Sequence, residues 1–155
     1  MHSFMNRQID KPLLYLTDEI SNVKRDVFDY QKLAGYHMKL AFMMHKHSQR
    51  KVCLILCDWA LTAMIKALYI HEHQTTILPD KWTMNEILSF VHTDKNPGLD
   101  IVLFISTIQY ISSIENGPDS FLAEPTNIDK LLERTEQVLS ELSARILSEP
   151  NTPLF

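Results

Sequence analysis

From Val52 to Ile70 the chain reads VCLILCDWALTAMIKALYI, an apolar run with few polar interruptions. It is long enough to span a bilayer as a helix, yet it holds Asp58 and Lys66, and each charge costs about 3 kcal/mol at a bilayer centre. The run therefore reads as a core helix, extending over about Gln49 to His73. A helix that is apolar nearly all round is stable only when other helices surround it. The rest of the chain must supply those neighbours, and Leu54, Leu61, Ile65 and Leu68 are expected among its most buried residues.

The neighbours are legible in the spacing of apolar residues. From Asp18 to about Lys46, Ile20, Val23, Val27, Tyr30, Ala34, His37, Ala41 and Met44 recur three and four apart, the one-sided stripe of a long helix. Gly35 weakens that helix by roughly 1 kcal/mol relative to alanine. After the breaking segment QTTILPDKW, the residues TMNE open a short helix as a capping box, with Thr83 placed to accept the Glu86 amide proton and Glu86 to reach back. A fourth helix runs from about Leu99 to Ser113, with Val102, Ile105, Ile108 or Gln109, and Ser112 at helical spacing. Its β-branched residues also suit a strand, but it is long for one and no partner strand is in sight. The last helix starts at a Thr126 or Asn127 cap and continues through Ile128, Leu131, Leu132, Thr135, Val138, Leu139, Leu142, Ile146 and Leu147.

The fold expected is thus all-α, an up-and-down bundle of four to five helices. It forms one domain over 1–155, with a leader at 1–16 and a tail at 148–155, and neither an internal repeat nor a linker marks a second. Three glycines and seven prolines, nearly all between periodic segments, fit this organisation. The formal charge of −4 supplies no overall basic field, so nucleic acid is disfavoured as the main partner. Two cysteines, Cys53 and Cys57, and an N-terminus without a secretory pattern point to a reducing, cytoplasmic setting and to no membrane span.

Chemistry-bearing patterns are sparse. His45 and His47 end the first helix and His71 and His73 the second, but helical residues two apart diverge by about 200°, so neither pair chelates from a regular helix. Cys53 and Cys57 share a face, where small buried cysteines are the ordinary reading. No metal and no cofactor is expected. There is no G-x-S-x-G elbow, phosphate loop or H-E-x-x-H motif. Glu133, Glu136 and Glu141, interleaved with Lys130, Arg134 and Arg145, read as a solvated face. No catalytic residue is assigned.

One ordered feature remains. At 100° per residue Lys51, Asp58, Thr62, Lys66, Tyr69 and His73 fall within an arc of about 100° on the central helix. This polar stripe is either where the helix meets solvent or one wall of a binding groove, since bundle sites are built from side chains on facing helices. An i, i+8 separation is about 12 Å along the axis, so Asp58 and Lys66 do not pair directly.

The stretch CLILCDWALTAMIKALYIHEH, followed by the capped helix TMNEILSFV, resembles the HEPN domains (higher eukaryotes and prokaryotes nucleotide-binding). MIKALYI matches their A-L-K-A-L-L segment, with Lys66 at the second lysine, and FISTIQYISSIENGPD is similar to their tyrosine-bearing helix and turn. The similarity is spread over about residues 20 to 147. Ribonuclease members carry R-x4–6-H, and here Arg7, Arg25, Arg50, Arg134 and Arg145 all lack a histidine at that distance, while Met84 stands where histidine is usual. The resemblance therefore implies the branch without that motif, similar to the dimeric helical partners of small nucleotidyltransferases.

Three functions follow. The first is a non-enzymatic HEPN-like protein that homodimerises or binds a partner such as a nucleotidyltransferase. In it Lys51, Lys66 and His73 would favour phosphate, Tyr69 and Trp59 would stack on a base, and Asp58 would orient the lysine. The second is a divergent ribonuclease assembled across a dimer, using Arg50 with His45 or His47. The third is an adaptor bundle with no small-molecule site.

Overall fold

The computed structural model describes residues 2–92, 98–113 and 125–148, and every element of regular structure among these is a helix. The helices are α1 (His2–Lys46), α2 (Arg50–His73), α3 (Met84–Val91), α4 (Leu99–Ser113) and α5 (Pro125–Ser148). The all-α class read from periodicity is the class observed. Two boundaries differ. α1 starts at His2 and runs straight through Pro12, which removes a backbone donor and breaks the pattern that periodicity follows. α5 starts at Pro125, ahead of the expected Thr126 or Asn127 cap, and proline is well suited to a first helical position.

α2 is the central element. Twelve of its 24 residues are buried, Leu54, Leu61, Ile65 and Leu68 among them. By length and composition it is apolar enough to cross a membrane, and 67% of its apolar window is buried against the other helices. α1 packs along it as an antiparallel hairpin, because Trp59 meets His37 and Lys66 meets Tyr30, so rising numbers on α2 oppose falling numbers on α1. The turn between them places Ser48 at φ 60, in the left-handed region. α1 contributes Val23, Val27, Ala34, Met38 and Ala41 to the core, while Ile20, expected inward, is exposed.

α5 packs on α2 with Ile128, Leu132, Thr135, Val138, Leu139, Leu142 and Ile146 buried, while Leu147, in the same expected series, is exposed. α4 packs on α2 through Ile101, Ile105 and Ile108, and α3 lies against α4 and the C-terminal part of α2. α3 starts as its sequence dictates, the Thr83 hydroxyl accepting the Glu86 amide at 3.1 Å. Its far end is held from α5, where the Arg145 guanidinium donates to the Val91 carbonyl. Gly98, ahead of α4, packs so closely on the end of α3 that an added Cβ would lie 2.5 Å from Val91 Cγ1 and 3.0 Å from the Val91 carbonyl carbon.

Candidate functional site

The arc of α2 that faces neither α5 nor the core carries the polar stripe, and its residues gather into separate groups. Asp58 turns toward α4, where the Ser112 hydroxyl donates to Oδ2 at 3.2 Å and the Thr62 hydroxyl, one turn along α2, approaches Oδ1 at 3.5 Å. Burial pushes the Asp58 carboxyl above the ordinary aspartate range, and the two hydroxyl contacts work against that rise. No cation lies within ion-pair distance of Asp58 among the described residues. Asp58 therefore acts as a half-buried hydrogen-bond acceptor between α2 and α4.

Lys66 turns the other way, toward α1. Its ammonium lies 5.6 Å from the centre of the Tyr30 ring. That contact borders a notch of about 160 Å³ lined by Tyr30, Leu33, His37, Trp59, Thr62 and Lys66. Trp59 stands edge-on to His37 with ring centres 5.6 Å apart. The His37 Nδ1 atom is buried without a hydrogen-bond partner, and burial lowers the pKa of the ring. A buried ring nitrogen with no acceptor is least costly as a bare lone pair, which leaves the proton on Nε2.

Tyr69 and His73 form a third group. Their rings stack at 4.1 Å, and His73 Nδ1 lies 3.1 Å from the Tyr69 carbonyl oxygen. Trp82 and Phe90 close on Tyr69 edge-on at 5.0 and 5.7 Å, so this end of the stripe anchors α3 and the segment before it. Lys51 is exposed in the first turn of α2. Of the six residues read from the sequence, Asp58 and Thr62 meet, Tyr69 and His73 meet, and Thr62 and Lys66 share the notch. Phosphate chemistry would fall to Lys66 and Thr62, and stacking to Trp59, whose indole is half exposed.

Several partners were not visible in the stripe itself. Ser112 was legible as an inward position of α4, but its pairing with Asp58 depends on how α4 docks. Trp82 and Phe90 lie in a loop and on a short helix, where no periodicity links them to α2. The histidines of the α1–α2 corner are also placed: His47 is exposed and His45 Nε2 pairs with Asp129 Oδ1 at 2.6 Å, tying α1 to α5. Cys53 and Cys57 are both buried, and Cys53 is pushed up by its hydrogen bond with Cys57 and by burial, the behaviour of structural thiols. Among the described residues no three His, Cys, Asp or Glu side chains gather as a metal site requires. Comparison with protein-family models, with curated proteins and with solved structures finds no match to this chain.

Proposed function

We propose that this chain is a non-enzymatic, HEPN-like cytoplasmic protein that acts by association, with a second copy of itself or with a protein partner of the nucleotidyltransferase kind. The observation that carries this reading is a set of large side chains left in solvent on the α1–α2 face. Leu33 is 41% exposed, Tyr36 61%, Met43 50% and Trp59 53%. Leu33, Tyr36 and Met43 share one side of α1, and Leu33 and Trp59 line the same notch, so the exposure is one surface. Contiguous apolar surface beyond a few hundred Å² marks an interaction site on a folded protein. The notch beside it supports a phosphate-bearing ligand as the small-molecule component, through Lys66 and Thr62.

Sedimentation equilibrium at tens of micromolar tests the reading. A species of twice the 18.0 kDa chain mass is expected, reverting to the single mass in Tyr36→Glu with the helical spectrum unchanged. A monomer at these concentrations that also captures no protein through this face overturns it. For the notch, phosphate-bearing compounds should raise the melting temperature of the wild type and not of Lys66→Ala.

A further inference from the structure

α1 outlasts the helices packed on it. His45 pairs with Asp129 and Gln31 with Ser143, so α5 runs antiparallel to α1 and its Leu147 stands level with about Val27. α2 ends at His73, where Gln74 adopts the left-handed conformation at φ 51. α1 continues past both ends toward His2. Where the three helices part, Ile20, Val23, Val27, Phe28, Ile146 and Leu147 line a groove of about 470 Å³, a volume in the range of ligand pockets. Ile20, Phe28 and Leu147 are exposed, on the side of α1 turned away from Leu33 and Tyr36.

The polar lining asks little of an occupant. The Gln31 amide donates to the Ser143 hydroxyl at 3.0 Å and the Gln74 amide to the His71 carbonyl at 2.7 Å, so both have partners. Lys24, exposed at the rim, keeps its ammonium in water while its stem adds apolar surface. The Gln31–Ser143 bridge crosses from α1 to α5 at the inner end of the groove, which leaves the end beyond Ser148 open. An occupant is therefore apolar and enters from where α5 stops.

The chain itself continues from that end. Seven residues, EPNTPLF (149–155), follow α5 and lie outside the described residues. Pro150 and Pro153 favour an extended course and reduce the entropy that ordering the segment costs. From the level of Val27 to Ile20 is about 10 Å along α1. Six residues carry the chain from Ser148 to Leu154, a reach of up to about 20 Å, which leaves slack for the turn from α5 onto α1. We propose that segment 149–155 turns back onto α1 and seats Leu154 and Phe155 in this groove, against Ile20, Val23 and Phe28, as a built-in occupant that an outside apolar ligand must displace. A tether this short holds its end at an effective concentration on the order of millimolar, so the segment of the same chain outcompetes that of a second copy at micromolar concentrations. This face is not the one that carries the association reading, and the proposal does not depend on it.

Disulfide formation in the whole chain locates the segment. The native Cys53 and Cys57 are wholly buried and stay silent under brief mild oxidation. Ile20→Cys/Leu154→Cys should link within one chain roughly tenfold faster than Asp29→Cys/Leu154→Cys. Asp29 is exposed, nearer than Ile20 to the level of Ser148, and about 180° around α1 from Ile20, so a segment free in solvent would reach either. A second measurement uses an apolar dye, anilinonaphthalene sulfonate. Its fluorescence should rise in Leu154→Asp/Phe155→Asp, and adding Phe28→Asp should abolish the rise. Equal linkage rates, or a dye signal unmoved by the double aspartate variant, would overturn the proposal. Linkage between chains rather than within one would assign the groove to the segment of a second copy and overturn it as well.

Discussion

Replacing Asp58 separates a structural acceptor from a buried ion pair. The carboxylate accepts from the Ser112 hydroxyl at 3.2 Å and, more weakly, from Thr62 at 3.5 Å, and it has no cation partner among the described residues. Asparagine keeps an acceptor oxygen in the same place and removes the charge. A hydrogen bond to a neutral acceptor is worth about 1 kcal/mol and one to a charged group somewhat more, so weakening the two costs on the order of 1 kcal/mol. Removing a desolvated carboxylate offsets part of that cost. Asp58→Asn should therefore lie within about 1 kcal/mol of wild type at pH 7, a shift in melting temperature of roughly 2–4 °C at most for a chain of this size.

The pH dependence is the sharper readout. An aspartate held above its ordinary value binds its proton more tightly in the fold than in the unfolded chain. Its favourable contribution is complete below the unfolded value of 3.8 and is lost as pH rises through the folded one. Urea midpoints measured from pH 3.5 upward should show this decline in the wild type and lack it in Asp58→Asn. If the variant instead loses several kcal/mol at pH 7, Asp58 is half of a buried ion pair and the account is wrong.

Leu61→Ala should cost about 2–5 kcal/mol in chemical denaturation, because Leu61 is fully buried at the centre of α2, and an innocuous substitution would mean that α2 is not the core helix. Gly98→Ala should cost about 1–3 kcal/mol, since its methyl would press on Val91 and the end of α3, and a neutral result would show that the α3–α4 junction yields. His37, its pKa lowered by burial, favours the fold above the unfolded value of 6.5 and loses that contribution as pH falls. Between pH 7 and pH 5 the wild type should lose more stability than His37→Phe, and equal losses would show that the ring is as wet in the fold as out of it.

What the sequence disclosed, and what it withheld, follows from how far each signal reaches along the chain. The α2 core positions were legible because a helix apolar over most of its circumference must be surrounded by other helices, and Leu54, Leu61, Ile65 and Leu68 are buried accordingly. Thr83 was legible for a similar reason, since a cap and its amide are three residues apart. The start of α1 was not, because Pro12 interrupts the local pattern while the helix continues. The polar stripe marks the limit. Periodicity placed Asp58, Thr62, Lys66, Tyr69 and His73 on one arc, yet an arc of about 100° is wide enough to look toward two different neighbours.

Those neighbours decide what each residue does. Asp58 reaches Ser112, 54 residues away, and Lys66 reaches the Tyr30 ring on α1. Two residues eight apart on one helix, about 80° apart around it, thus have partners on different helices. The same reasoning bears on α1, where the periodicity that places Val27, Ala34 and Ala41 in the core places Leu33, Tyr36, Leu40 and Met43 in an equally regular row on another side, Leu40 packing partly on the core, Leu33 bordering the notch with Trp59, and Tyr36 and Met43 left in solvent. Helical spacing says which residues act together, and the surface facing them says to what end. For Val27, Ala34 and Ala41 that surface is α2 and α5.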